Sequence, residues 1–235
     1  MKKQLNRWLK ARDSEKDFWA QKNVKAIKTS DAWAAFVREN FGLWPNFSSL
    51  NVLEVGCGPY GIINFTNSSN SVGIDPLKFD TWTGQNKITS LTPHLLATGE
   101  SLPFCDNIFD ICVCFNVLDH SITPTNVLQE ITRVLKPTGE LLLWVHAVRN
   151  PLRFFAPFFS LVDKSHPHHF TLKEIEGIIA ETSLVISFVK TKDMGEGNVM
   201  QQFVRFISSS FKLAIASFMM LHIFIRAQPN KKALS

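Results

Sequence analysis

From residue 51 onward the chain falls into short apolar runs separated by amphipathic stretches. "NVLEVG" (51–56) is an apolar run that ends in glycine, the mark of a strand covered on both faces of a parallel sheet. "SVGID" (71–75), "FDICVCFNVL" (109–118) and "GELLLWVHA" (139–147) repeat the pattern. Between them, "PTNVLQEITRVL" puts Val127, Leu128, Ile131, Val134 and Leu135 on one helical face. Pro137 and Gly139 in "LKPTGELLL" are expected to close that helix before the next strand. Further on, "TLKEIEGIIAET" reads as a helix with Thr171 as N-cap and Glu174 three residues on, a capping box. "SLVISFVK" reads as a strand, "NVMQQFVRFISSSFKLAIASF" as a helix and "MLHIFIRA" as a last strand. Strands alternating with helices predict an α/β fold built on a doubly wound, mostly parallel sheet.

The ends of this core read differently. Residues 1–48 mix charged and aromatic residues, and "SDAWAAFVRENFG" spaces Trp33, Phe36 and Val37 helically between Ser30 or Asp31 and Gly42. One or two helices packed on the main domain are expected there. The domain itself is placed at residues 49–228, with an irregular, aromatic and histidine-rich insertion at 148–170 read as a lid on the substrate side. A basic tail, residues 229–235, follows. The apolar run 211–225 is shorter than the roughly 20 residues a membrane span needs, and it straddles a predicted helix and strand.

Composition adds limits. The 235 residues are 45% hydrophobic and 19% charged, enough apolar material for a sizeable core. The net charge of +5 collects at the two ends and is read as solvated. Cys57, Cys105, Cys112 and Cys114 form no C-x-x-C pair, so reduced, mostly buried thiols are expected. With no apolar leader at the start, the expected location is cytoplasmic, with peripheral membrane contact through "RFFAPFF" as a refinement.

The chemistry begins at "LEVGCGPYG" (53–61), where Gly56, Gly58 and Gly61 spell G-x-G-x-x-G, and a helix expected to follow offers free N–H groups. Asp75 ends the next strand, 19 residues after Gly56, where an acid accepts the hydroxyls of an adenosine ribose. Those features serve a nicotinamide dinucleotide and S-adenosylmethionine equally. Glu54 separates them. A carboxylate beside the turn suits an ammonium or sulfonium, directly or through water, and repels a pyrophosphate. Pro59 also removes an N–H that a phosphate would use.

Together with "VGIDP" (72–76), "GESLPFCDNIFDICVCFNVLDH" (99–120) and "EITRVLKPTGELLL" (130–143), the glycine run resembles class I S-adenosylmethionine-dependent methyltransferases of the small-molecule type. The resemblance covers roughly residues 50–190. It implies a Rossmann-like seven-stranded sheet with an antiparallel last strand, and S-adenosyl-L-methionine as cofactor. By position it places Gly56, Cys57 and Gly58 under the methionine part, with Glu54 and Gly61 in the same motif. It gives Asp75 to the ribose and Pro76 to the adenine face. Thr98 stands where the family usually has an Asp that bonds the adenine amino group, followed by Gly99 and Glu100. Asn116 and Val117 form the wall beside the methyl donor.

His120, His146 and His169, in that order, are the candidate proton acceptors. The histidines of "SHPHHF" (165–170) are read as part of the lid, and no metal site is expected, because only Asp163 offers an acid nearby. The acceptor pocket is expected between residues 150–170 and the N-terminal helices, where Phe154, Phe155, Phe158, Phe159 and the tryptophans, with Arg149 and Arg153, suggest a small aromatic, lipid-like or sugar acceptor. No Asn-Pro-Pro-aromatic run follows the strand at 109–115, which counts against nucleic-acid substrates. The rival readings are a non-catalytic module that binds S-adenosylmethionine or S-adenosylhomocysteine, and a nicotinamide-dependent oxidoreductase. The oligomeric state is left open.

Overall fold

The structure is a computed structural model that describes residues 2–21, 30–42, 46–59, 61–66, 68–77, 92–149, 166–193 and 220–230. The expected helix at 198–218, most of the 148–170 lid with its four phenylalanines, Arg153 and Asp163, and the tail beyond residue 230 lie outside the described residues.

Seven strands form one sheet in the order β3-β2-β1-β4-β5-β7-β6. They are β1 (Val52–Val55), β2 (Ser71–Asp75), β3 (His94–Leu96), β4 (Phe109–Phe115), β5 (Leu135–Val148), β6 (Leu184–Asp193) and β7 (Met220–Pro229). β1 to β5 pair in parallel, and β7 runs antiparallel to both β5 and β6. The doubly wound sheet with an antiparallel last strand is the predicted one.

Alternation along the strands divides the core. Leu53, Val55, Leu141, Leu143, Val145, Ile223 and Ile225 face one side, where α3 (Pro124–Val134) and α4 (Leu172–Ala180) pack. Val52, Val113, Leu142 and Phe224 face the other, against α2 (Ser30–Phe41), which supplies Trp33, Val37 and Phe41. The rings of Phe41 and Phe115 stack there with centroids 5.4 Å apart. α1 (Lys2–Gln21) lies beyond, and its Arg7 Nη2 donates to the His166 carbonyl at 3.3 Å.

Three elements depart from the sequence expectation. The glycine turn leads into a short 3-10 helix, Ile62–Phe65, and not a full α-helix. Helix α3 stops at Val134, and Leu135 already pairs with Phe109, so Pro137 and Gly139 belong to β5. The short edge strand β3 was not foreseen. The capping box at Thr171 and Glu174 is present, with Thr171 N donating to Glu174 Oε2 at 2.8 Å.

Candidate functional site

The strands β1, β2 and β4 end together, and the loops that leave them surround one cavity of about 500 Å³. The first loop is fixed by β1's own carboxylate. Glu54 is 3% exposed, its Oε1 accepts Ile62 N at 3.2 Å, and its Oε2 accepts Ile63 N at 2.9 Å. These amides open the 3-10 helix and would otherwise be orphaned. A Cβ on Gly61 would stand 2.3 Å from Glu54 Oε2, so only glycine lets the chain pass this close. Glu54 borders the cavity but spends both oxygens on the turn, a structural duty beyond the cation-facing one read from sequence.

Gly56 N and Cys57 N both donate to Ile74 O, at 2.8 and 3.0 Å, which folds the turn over the end of β2. Cys57 packs against Gly73, and burial next to Glu54 and Asp75 pushes its thiol well above the ordinary range. That is an inert, space-filling cysteine. Gly58 holds φ +50, and a Cβ there would project into open space. Its N–H donates to Asp75 Oδ2 at 3.1 Å, while Leu77 N donates to Oδ1 at 2.8 Å. Each Asp75 oxygen keeps a lone pair for a further donor. Burial raises the Asp75 pKa to about 6 against the pull of these two amides, and Glu15 of α1 adds to the rise.

The remaining expected residues complete the wall. Pro76, Thr98, Gly99, Glu100, Asn116, Val117 and His120 all border the cavity. Glu100 also holds a helix end: its Oε1 accepts Ile122 N and Thr123 N, at 2.7 and 3.2 Å, ahead of α3. Asn116 takes a left-handed φ of 56°, and its Oδ1 is buried without a hydrogen-bond partner among the described residues. A buried acceptor with no donor is costly unless a ligand supplies one.

Residues 53–143 match the family described as Methyltransferase domain. The stretch that carries the glycine turn, Asp75 and Asn116 is thus similar to methyltransferase domains. A thiol S-methyltransferase of Rattus norvegicus is 34% identical over 106 residues, 42% of this chain and 43% of that protein. A tRNA U34 carboxymethyltransferase of Nautilia profundicola is 33% identical over 122 residues, 47% of this chain and 39% of that one. The first relatives are matched over 37–43% of their own length, so the chain spans about two fifths of the curated proteins it resembles. The fold extends further. A crystal structure of geranyl diphosphate C-methyltransferase from Streptomyces coelicolor superposes with a TM-score of 0.63 at 15% identity, covering 85% of this chain and 79% of that one.

The N-terminal helix supplies a further wall of the cavity. Trp8, Ala11, Arg12 and Glu15 of α1 border it. Their i, i+3, i+4, i+7 spacing is the signal that was available. Trp33, Phe115 and Trp144 add aromatic surface to the lining. The candidate histidines separate. His120 borders the cavity. His146 is set back among Trp144 and His222, with ring centroids 5.6 and 4.8 Å away. Burial lowers its pKa, with His166 and His120 adding to the effect against Asp119. His169 is half-buried and does not border the cavity. His168 stacks on Phe170 at 5.5 Å, and its Nε2 lies 3.0 Å from the Ser121 carbonyl. His166 parts from these neighbours and stands over His120, with ring centroids 4.6 Å apart. Asp106 and Asp110 are structural: Asp106 pairs with Arg133 at 2.7 Å, and Asp110 Oδ2 accepts Asn51 N at 2.9 Å. Among the described residues, no helix is long and apolar enough to cross a membrane.

Proposed function

We propose that the protein transfers a methyl group from S-adenosylmethionine to a small acceptor that enters beneath α1. The observation that carries this reading is Asp75 at the end of β2, facing the same cavity as the Gly56–Gly58 turn and the unpartnered Asn116 Oδ1. These residues fit the cofactor. Asp75 keeps the acceptor capacity that two ribose hydroxyls need. The open space over Gly58 takes the methionine part. Asn116 Oδ1 suits an ammonium donor. Thr98 and the Gly99 amide stand on the adenine side, where a hydroxyl replaces the family's carboxylate.

When bound, the cofactor supplies a methyl group on a sulfonium, an electrophile that needs no further activation. The chain's own task is to orient the acceptor and keep water out. α1 covers the cavity, with Ala11 1% exposed. Trp8, Trp33, Phe115 and Trp144 offer an apolar acceptor flat surfaces and offer a polar nucleic-acid backbone little. His120, the candidate histidine in the wall, marks the acceptor's end of the cavity. Likeness to a thiol S-methyltransferase supports a small acceptor, while likeness to a tRNA-modifying enzyme keeps RNA in the test.

Incubation with methyl-labelled S-adenosylmethionine and a panel of thiols, phenols, prenyl alcohols, sugars and bulk tRNA tests this. Label is expected in an apolar or aromatic small molecule. Label in tRNA alone, or in nothing while S-adenosylhomocysteine still binds, would overturn the acceptor class or the enzyme reading respectively.

A further inference from the structure

Behind His120 lies a group of side chains that cofactor binding does not use. The 3-10 helix Leu118–His120 leaves β4 directly, and its Asp119 is 2% exposed. Asp119 Oδ1 has no hydrogen-bond partner among the described residues. Its Oδ2 lies 3.9 Å from His166 Nε2. One potential ligand atom from each of Asp119, His120 and His166 falls within 4.8 Å of the others. A buried carboxylate left this way is expensive, and a cation repays the cost.

The backbone holds the group in place from both sides. Asp119 O accepts His168 N at 3.1 Å, and His120 N and Ser121 N close the 3-10 turn on Val117 O and Leu118 O. The His168 ring meets Ser121 O, and Arg7 of α1 donates to His166 O. Two segments 46 residues apart are thus tied together by atoms other than the three ligands. Side-chain rotations alone can then tune the ligand distances.

We infer that Asp119, His120 and His166 form a binding site for one divalent transition-metal ion at the acceptor end of the cavity. Two imidazoles and one carboxylate suit zinc, manganese, iron(II) or cobalt, and not magnesium or calcium, which prefer oxygen ligands throughout. Bond lengths of about 2.0–2.2 Å need the ligands to draw together by roughly an ångström. Three protein ligands leave a coordination position open, as in catalytic and not structural sites. His120 borders the cavity, so that position faces the acceptor. A thiol or hydroxyl bound there would lose its proton more readily to solvent, becoming a better nucleophile. This revises the expectation of no metal, which weighed only the histidines at 166–169 and Asp163. The contact with Asp119 is made by folding.

Metal binding stands apart from methyl transfer, and the test reads it directly. The full chain is stripped with chelator and titrated calorimetrically with Zn²⁺ alone, then with Co²⁺ followed by its visible absorption. One equivalent is expected to bind, with the Co²⁺ bands of a nitrogen-containing, low-symmetry site. His120→Gln and His166→Gln sit at half-buried positions and are expected to stay folded by circular dichroism. Each should weaken binding about tenfold or more, since even outer-sphere partners are worth that much. His169→Gln should change nothing. Absence of stoichiometric binding by either ion overturns the inference. So does binding that survives both ligand substitutions or that follows His169.

Discussion

Glu54→Gln keeps the shape of the side chain and removes its charge, at a carboxylate that holds the two amides opening the 3-10 helix. One of the two bonds then faces an NH₂ group in place of an oxygen. The substitution is expected to cost about 1–3 kcal/mol, the range for a disturbed buried charged hydrogen bond. Urea denaturation measures it. A variant as stable as the parent, with weaker cofactor binding, would return Glu54 to the cation-facing duty that its position suggested. The position of Glu54 was legible because it stands two residues before Gly56. Its partners were not, because they depend on how the chain turns back through Gly61. Asp75 was legible for the opposite reason: the end of the second strand puts it at the ligand edge whatever the loops do. His166 could not be placed from sequence, since its meeting with Asp119 and His120 rests on a tertiary contact.

At the scale of elements, β1, β2, β4 and α3 were readable because their apolar periods are strong and their ends are punctuated by Gly, Asp and Pro. β3 was not: it has three residues, sits at the sheet edge, and leaves Leu95 and Leu96 exposed. The 3-10 helix after the glycine turn replaced an expected α-helix because few residues separate β1 from β2, and "TNSSN" carries no apolar face. α1 was expected to pack on the domain beside the acceptor pocket, and it borders the cavity through Trp8, Ala11, Arg12 and Glu15. Trp8→Ala opens that side. It is expected to leave the melting temperature within a few degrees, since the sheet core lies elsewhere, and to raise the KM for an apolar acceptor more than it lowers kcat. Steady-state kinetics against acceptor, with the cofactor saturating, checks this. An unchanged KM would remove α1 from the acceptor site.

At the scale of the molecule, the proposed function gives one sheet two different jobs along its carboxyl edge. The β1–β2 side presents Gly58 and Asp75 to a nucleoside. The β4–β5 side presents His120 and Trp144 to whatever receives the methyl group, with Asn116 toward the donor. The cavity joins them under α1. The donor side was largely written in the sequence, because its motif is local. The acceptor side was not, because it is assembled from α1, β4, β5 and the residues around 166. The donor side is therefore where the central claim meets its most direct test: calorimetric titration of S-adenosylhomocysteine into the intact chain and into Asp75→Ala. Ribose hydroxyls need the carboxylate form of Asp75, whose pKa is raised to about 6. Binding near −8 kcal/mol, a micromolar Kd, is expected above that pH. It should weaken by up to about tenfold per unit as the pH falls below 6, and the variant should lose it. No binding by the intact chain, or equal binding by Asp75→Ala, would contradict the assignment of this cavity to the methyl donor.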